Sequence, residues 1–148
     1  KLYQHSTLYI FCEKITQVLT INNNFLSFFI GTNDDLPLQQ KMLIASLLLM
    51  SNHLKNKDIT LGKLHATYIR VCKKRSLPQV DLSEAGSLCG LLESRGILSM
   101  KLGPMSKWAS STKDKKLTLR IDEGEIEAAL KDKTLLSGIL KDVDCVAK

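Results

Sequence analysis

The sequence predicts a mainly α-helical domain with one small β-hairpin. Three observations carry that prediction. Between residues 36 and 95, three stretches repeat apolar residues at helical spacing, each with a start and a stop signal. Two short runs, Ile97 to Leu102 and Lys116 to Asp122, alternate apolar and polar residues across a segment rich in Gly, Pro, Ser and Lys. A further helical pattern begins at Glu123.

The elements follow in order. Residues 1–35 form a segment of uncertain structure, with a helix expected at about 7–20. Gly31-Thr32-Asn33-Asp34-Asp35 is a breaker and sets the boundary. Leu36-Pro37 opens the first secure helix, with Pro in the first turn where its missing N–H costs nothing. That helix should run to about Leu54. Apolar residues cover most of its circumference, so it is central or carries a second interface. Ile59 favours a short strand. Thr60 is a good N-cap for a second helix over 61–74, whose stripe is Leu61, Leu64, Tyr68, Val71 and Cys72. Its end is Lys73-Lys74-Arg75, favourable at the negative end of the helix dipole, and Pro78 stops it. Asp81 and Glu84 match a capping box for a third helix over 82–95. Ala85, Leu88, Cys89 and Leu92 form its inner face; Ser83, Ser87, Gly90 and Ser94 lie opposite. Gly96 is its left-handed stop.

In the hairpin, Leu98, Met100 and Leu102 should share one side and Ser99 and Lys101 the other, while Leu117, Leu119 and Ile121 should face inward. Lys116, Thr118, Arg120 and Asp122 should face outward. Helices at 123–131 and about 134–140 close a domain spanning 36–143, with 144–148 as a tail. The order helix, strand, helix, helix, strand, wing, strand, helix is the winged variant of helix-turn-helix.

The 148 residues suit a single domain, and the formal charge is +6. That charge is uneven. Residues 1–35 hold two lysines against Glu13, Asp34 and Asp35, while the rest hold nineteen of the 21 basic and twelve of the 15 acidic groups. A basic domain meets something acidic: nucleic acid, anionic lipid or an acidic protein. No signal peptide or membrane span is expected. Residues 25–30 and the run Met42 to Met50 are both too short to cross a bilayer. Of the four cysteines, none forms a CxxC pair and no His stands at zinc-finger spacing, so no structural metal is expected. Cys72 and Cys89 read as small buried hydrophobes.

The wing is the best candidate site. Lys107, Lys113, Lys115 and Lys116 lie in it, with Arg120 just beyond and Ser106, Ser110, Ser111 and Thr112 interleaved. Lysines place charge on phosphates, and hydroxyls add hydrogen bonds. Trp108 can stack on a sugar or wedge into a groove; the alternative is a solvated loop with the indole folded back on the hairpin. On the third helix, Ser83, Ser87 and Ser94 can touch phosphates or bases, with Arg95 and Lys101 extending the surface. No Asn, Gln or Arg on that outer face offers a bidentate base contact. The competing reading is packing of these small residues against another protein domain. Lys73-Lys74-Arg75 reads as a phosphate contact or nuclear-import cluster, or as a solvated helix end. His53 and His65 read as structural, and Glu123, Glu125 and Glu127 as a solvated helix start. No GxxxxGK[S/T] occurs, since position 57 is Lys where Gly62-Lys63 would need Gly, and no catalytic constellation or cofactor site emerges.

Four blocks carry a family resemblance: Leu36-Pro-Leu-Gln-Gln-Lys-Met-Leu43, Ile59-Thr-Leu-Gly-Lys-Leu64, Ser87-Leu-Cys-Gly-Leu-Leu-Glu-Ser-Arg-Gly-Ile97 and Ile126-Glu-Ala-Ala-Leu-Lys-Asp-Lys133. From about Thr32 to Leu140 the chain resembles the C-terminal winged helix of the cell division control protein six family, eukaryotic replication-licensing ATPases. The largest origin recognition complex subunit and archaeal initiators share that architecture. The resemblance implies a nuclear protein acting at replication origins. It also implies an AAA+ module ahead of this domain in the full-length family. The implied partners are double-stranded DNA, the origin recognition complex and the minichromosome maintenance helicase, through the third helix (Ser83 to Arg95) and the wing (Gly103 to Lys116). The chain departs from the family pattern in carrying no Walker motif, and residues 1–30 do not resemble the expected lid. Two functions therefore stand: DNA binding through phosphates, and protein docking on the helicase or loader.

Overall fold

The computed structural model describes residues 36–55, 58–102, 111–131 and 134–147. The expected N-terminal helix and the wing tip fall outside them. The elements are α1 (Leu38–His53), β1 (Ile59–Thr60), α2 (Leu61–Lys74), α3 (Leu82–Ser94), β2 (Leu98–Leu102), β3 (Lys115–Leu119), α4 (Glu123–Lys131) and α5 (Thr134–Ile139). Short 3-10 turns, Thr112–Asp114 and Val143–Cys145, precede β3 and follow α5. The three strands form an antiparallel sheet in the order β1-β3-β2. A three-helix unit with a small sheet and a hairpin is a winged helix.

The core is organised by α1. Every residue from Gln40 to Ser51 is buried, and α2, α3, α4, α5 and β1 all contact the helix. This resolves the choice left by its all-round apolar sequence: α1 is the central helix. Around it pack Leu61, Leu64, Tyr68, Val71 and Cys72 of α2 and Ala85, Cys89 and Leu92 of α3, each 0% exposed. Leu88 is half-buried at the margin. The buried thiols are chemically quiet. Desolvation raises the Cys72 group and pushes Cys89 up to about 12.

Local signals set the helix ends. Thr60 Oγ1 accepts from Lys63 N at 3.4 Å, and Asp81 Oδ1 accepts from Glu84 N at 2.8 Å. Both α2 and α3 terminate in the same reverse hydrogen-bond pattern. Ser76 N–H donates to Lys73 O and Leu77 N–H to Cys72 O; likewise Gly96 N–H donates to Glu93 O and Ile97 N–H to Leu92 O. The pivot residues are left-handed, Gly96 at φ 76° and Ser76 at φ 54°. Pro78 therefore does not stop α2; the turn is made two residues earlier, at Ser76.

The hairpin register pairs Leu98 with Leu119, Met100 with Leu117 and Leu102 with Lys115. Leu98 and Leu117 are buried, but Leu102 is 58% exposed. Leu102 shares the side of Leu98, but that side of the hairpin outruns the helices that cover Leu98. Asp122 is no strand residue. Its Oδ2 accepts from Gly124 N and Glu125 N, so it caps α4. Glu123 accepts the Ser51 hydroxyl of α1, so this acid is a tertiary contact, not a solvated helix start.

Residues 144–147, set apart above as a tail, lie against α2. Ala147 N–H donates to the buried Thr67 Oγ1 at 2.9 Å, and Arg70 Nη1 donates to Val146 O at 3.2 Å. Arg75 grips the buried Asp142 through Nε and Nη2 at 3.0 and 2.9 Å. Lys74 bridges Asp142 and Asp144 at 2.9 and 2.8 Å, which lowers the Asp144 carboxyl below its ordinary value. A Cβ at Gly138 would stand 2.9 Å from the Arg75 guanidinium, so α5 needs a glycine there for the arginine to seat. Lys74 and Arg75 are thus pinned by carboxylates, which corrects both the phosphate-contact and the solvated-end readings for them; Lys73 alone of the three is exposed without a described ion pair.

Three substitutions should change stability in defined ways. Ser76→Gly should stabilise the domain by about 0.5–1 kcal/mol, because a left-handed L-residue costs roughly 1–2 kcal/mol and glycine returns part of the gain as chain entropy. Gly96→Ala should cost about 1 kcal/mol by the same strain, since nothing stands within 4 Å of the added Cβ. Chemical denaturation of the two variants tests the pair, and equal midpoints would refute the shared termination. Asp142→Ala should cost about 1.5–3 kcal/mol, the range for hydrogen bonds to charged groups, because it leaves a half-buried guanidinium unpaired. A melting temperature unchanged by that substitution would show the clamp to be without consequence.

Candidate nucleic-acid interface

Strand alternation sorts the basic residues of the hairpin onto two faces. On one lie Leu98, Met100 and Leu102 of β2 with Lys115, Leu117 and Leu119 of β3. This is the face toward α3: Met100 Cε approaches to 3.9 Å of where a Gly90 Cβ would sit, and Met100 N–H donates to Glu93 Oε1 at 2.8 Å. On the other lie Ser99 and Lys101 with Lys116 and Thr118. Lys115 and Lys116, neighbours in sequence, thus serve opposite surfaces.

The outer face holds a like-charge pair. Lys101 and Lys116 are direct register partners, an arrangement that disfavours the hairpin by roughly 0.2–1 kcal/mol unless something anionic sits between or beside the ammonium groups. Asp58, just before β1, supplies one such charge through a short ion pair to Lys116 Nζ. The Asp58 carboxyl is held below its ordinary value by the Lys116 hydrogen bond first and its charge second, with Lys63 adding to the effect. The sign is that of any depressed carboxyl: the pairing persists at neutral pH and is lost only as pH falls through the lowered value. Arg120 is exposed just past β3, and its N–H continues the ladder to Ile97 O.

The 3-10 turn Thr112–Asp114 carries Lys113, which is exposed. Ser111 Oγ caps the turn, accepting from Lys113 N. The turn is wedged against both other helices of the motif. A Cβ at Gly62 would meet Lys113 at 3.4 Å, and one at Gly86 would meet Leu61 at 3.3 Å and Thr112 at 3.5 Å. Small residues on α2 and α3 therefore seat the base of the wing between them. Sequence reasoning missed this seat, and with it the approach of Lys63 to the site.

On α3, Ser83, Ser87 and Ser94 are exposed as expected, as is Arg95 at the C-cap. Two of the hydroxyls are turned inward chemically. Ser87 Oγ donates to Ser83 O at 3.1 Å, and Ser94 Oγ donates to Leu91 O at 2.7 Å. Each then offers only acceptor lone pairs to a partner. Between them Leu91 is 52% exposed, a residue the sequence reading passed over. Lys107 and Trp108 lie outside the described residues. The remaining predicted residues lie on α3, on both faces of the hairpin stem, on the turn before β3 and just past β3. A cleft of about 120 Å³ lies elsewhere, lined by Leu47, Ser51, Ile59, Leu117, Thr118, Leu119 and Glu123. Its two strongest polar groups, Ser51 and Glu123, bond to each other. Among the described residues no helix is long and apolar enough to cross a membrane.

Comparison with known proteins agrees with this fold. The family model for the CDC6 C-terminal winged helix domain matches residues 32–129. A human cell division control protein 6 homolog is 48% identical over 110 residues, covering 74% of this chain and 19% of the relative. A rice homolog is 33% identical over 96 residues, covering 65% of this chain and 18% of the relative. The chain thus spans about a fifth of the length of these relatives. The structure of the Aeropyrum pernix ORC1 protein in complex with DNA superimposes with a TM-score of 0.71 at 17% identity, covering 84% of this chain and 31% of that one, which shows a shared fold. Helices, wing and sequence blocks agree, and the chain belongs to the CDC6 family through its C-terminal winged-helix domain.

Proposed function

We propose that this winged helix binds double-stranded DNA at replication origins, mainly through phosphates, and helps initiate replication together with the origin recognition complex. The observation that carries the reading is the hairpin stem. It presents Lys101 and Lys116 side by side on one face and Lys115 on the other, with Lys113 at its base. Such a two-sided lysine array straddles a phosphate backbone. A phosphate also relieves the Lys101–Lys116 repulsion that Asp58 offsets only in part. Family membership supports the setting: nuclear, in replication and the cell cycle, alongside the minichromosome maintenance helicase. The structural neighbour is described as bound to DNA.

A second reading is docking on the helicase or a loader subunit without appreciable DNA affinity. The observation favouring it is the α3 outer face, which is small and partly apolar and holds no bidentate base-reading side chain.

Fluorescence-anisotropy titration of the chain with a short duplex over a range of salt separates the two. Wild type should bind weakly and with steep salt dependence. Changing Lys101, Lys113, Lys115 and Lys116 to Ala should reduce the slope of log K against log salt by about 0.9 for each lysine that contacts a phosphate. The far-ultraviolet circular dichroism should be unchanged. No binding at low salt would remove the DNA reading and leave the docking one.

A further inference from the structure

We propose that Leu91 reads the 5-methyl group of thymine, giving the domain a preference for A·T pairs in the major groove. The inference rests on the DNA-binding reading above, with α3 as the helix that enters the groove. The argument runs from what α3 can offer to a base edge. Ser87, Leu91 and Ser94 recur at intervals of four and three residues, so they form one exposed stripe. The two serine protons are engaged by the Ser83 and Leu91 carbonyls. What remains along the stripe is acceptor, methyl groups, acceptor.

Among the four pairs in the major groove, only the two orientations of A·T match that pattern. Each shows the adenine N6 amino donor and, across the thymine O4 acceptor, the thymine methyl. A G·C pair shows the cytosine N4 donor but no methyl, so it satisfies a serine oxygen and leaves Leu91 against polar edges. A single exposed leucine is ordinary on a protein surface. Leu91 is distinguished by its company: its neighbours on the stripe are short, so its methyls stand proud where a helix meets base edges.

The test compares two duplexes of equal charge. One has deoxyadenosine on one strand and thymidine on the other; the second has deoxyuridine in place of thymidine, which deletes only the methyl groups. A homopolymer presents a methyl in every register, so no binding site need be known. The full chain should bind the thymidine duplex about fourfold tighter, the effect of burying one methyl group. Leu91→Ala should bind both equally with the wild-type salt slope, and Leu91→Met should keep the preference. Salt-dependent wild-type binding that ignores the methyl groups would overturn this inference and leave the DNA-binding reading standing. Binding to neither duplex would overturn both. A preference that survives in Leu91→Ala would place the methyl reading on another residue and overturn the assignment to Leu91.

Discussion

The burial of α1 on all sides from Gln40 to Ser51 is the constraint on which the rest of the domain depends. A helix apolar on every side has no solvent face to offer, so it is stable only when other elements enclose it. Here α2, α3, α4, α5 and β1 do so. The arrangement leaves each outer helix with one covered face and one free face. It therefore decides, before any functional residue is considered, that α3 turns its Ala85, Cys89 and Leu92 side inward and its serine side out. Two polar atoms in this core, Gln40 Oε1 and Ser46 Oγ, find no hydrogen-bond partner among the described residues. Hydrophobic enclosure on all sides outweighs a cost of about 1–3 kcal/mol for each such group.

The angle between α3 and the hairpin is set at its two ends. At one end, Gly96 reverses the chain in a single left-handed step, so β2 begins directly at the foot of α3. Further along, Glu93 reaches from α3 to the Met100 N–H on the open edge of β2. That contact does two things. It fixes the hairpin against the helix, and it occupies a backbone donor that an edge strand would otherwise present to another chain. At the other end, the 3-10 turn before β3 sits in the notch made by Gly62 and Gly86. The lysines are thereby carried on a rigid stem, although their own side chains are long and solvated.

Much of this was legible in the sequence because the signals were local. Caps, left-handed glycine and alternation act within four residues, and Thr60, Asp81 and Gly96 behave as their types dictate. The winged-helix order and the burial of Cys72 and Cys89 follow. What was not legible depends on partners far along the chain. Ser76 adopts a glycine-like turn because Leu77 closes the end of α2 onto Cys72 O, which no residue preference announces. Lys74 and Arg75 looked available until Asp142 and Asp144, some seventy residues on, claimed them. Glu123 looked solvated until Ser51 met it. Within the candidate site, the alternation of Lys115 and Lys116 could be read, but the Asp58 pair could not, since it needs β1 to lie beside β3.

These long-range pairs divide the basic residues into two functional kinds. Lys74 and Arg75 are neutralised within the fold by carboxylates, one of them buried, and the C-terminal residues are held to α2 by the same contacts. Transferring those cations to a phosphate would require exposing Asp142 without a partner, which is costly. Lys116 has a weaker hold. Its partner Asp58 is exposed, and surface pairs of that kind are weak, so a polyanion can displace it at little cost. Lys101 and Lys113 have no such exchange to make among the described residues. The ion-pair geometry thus draws Lys74 and Arg75 into the fold, while Lys73 on α2, Lys101 on the hairpin stem and Lys113 on its turn stand exposed without an ion pair among the described residues.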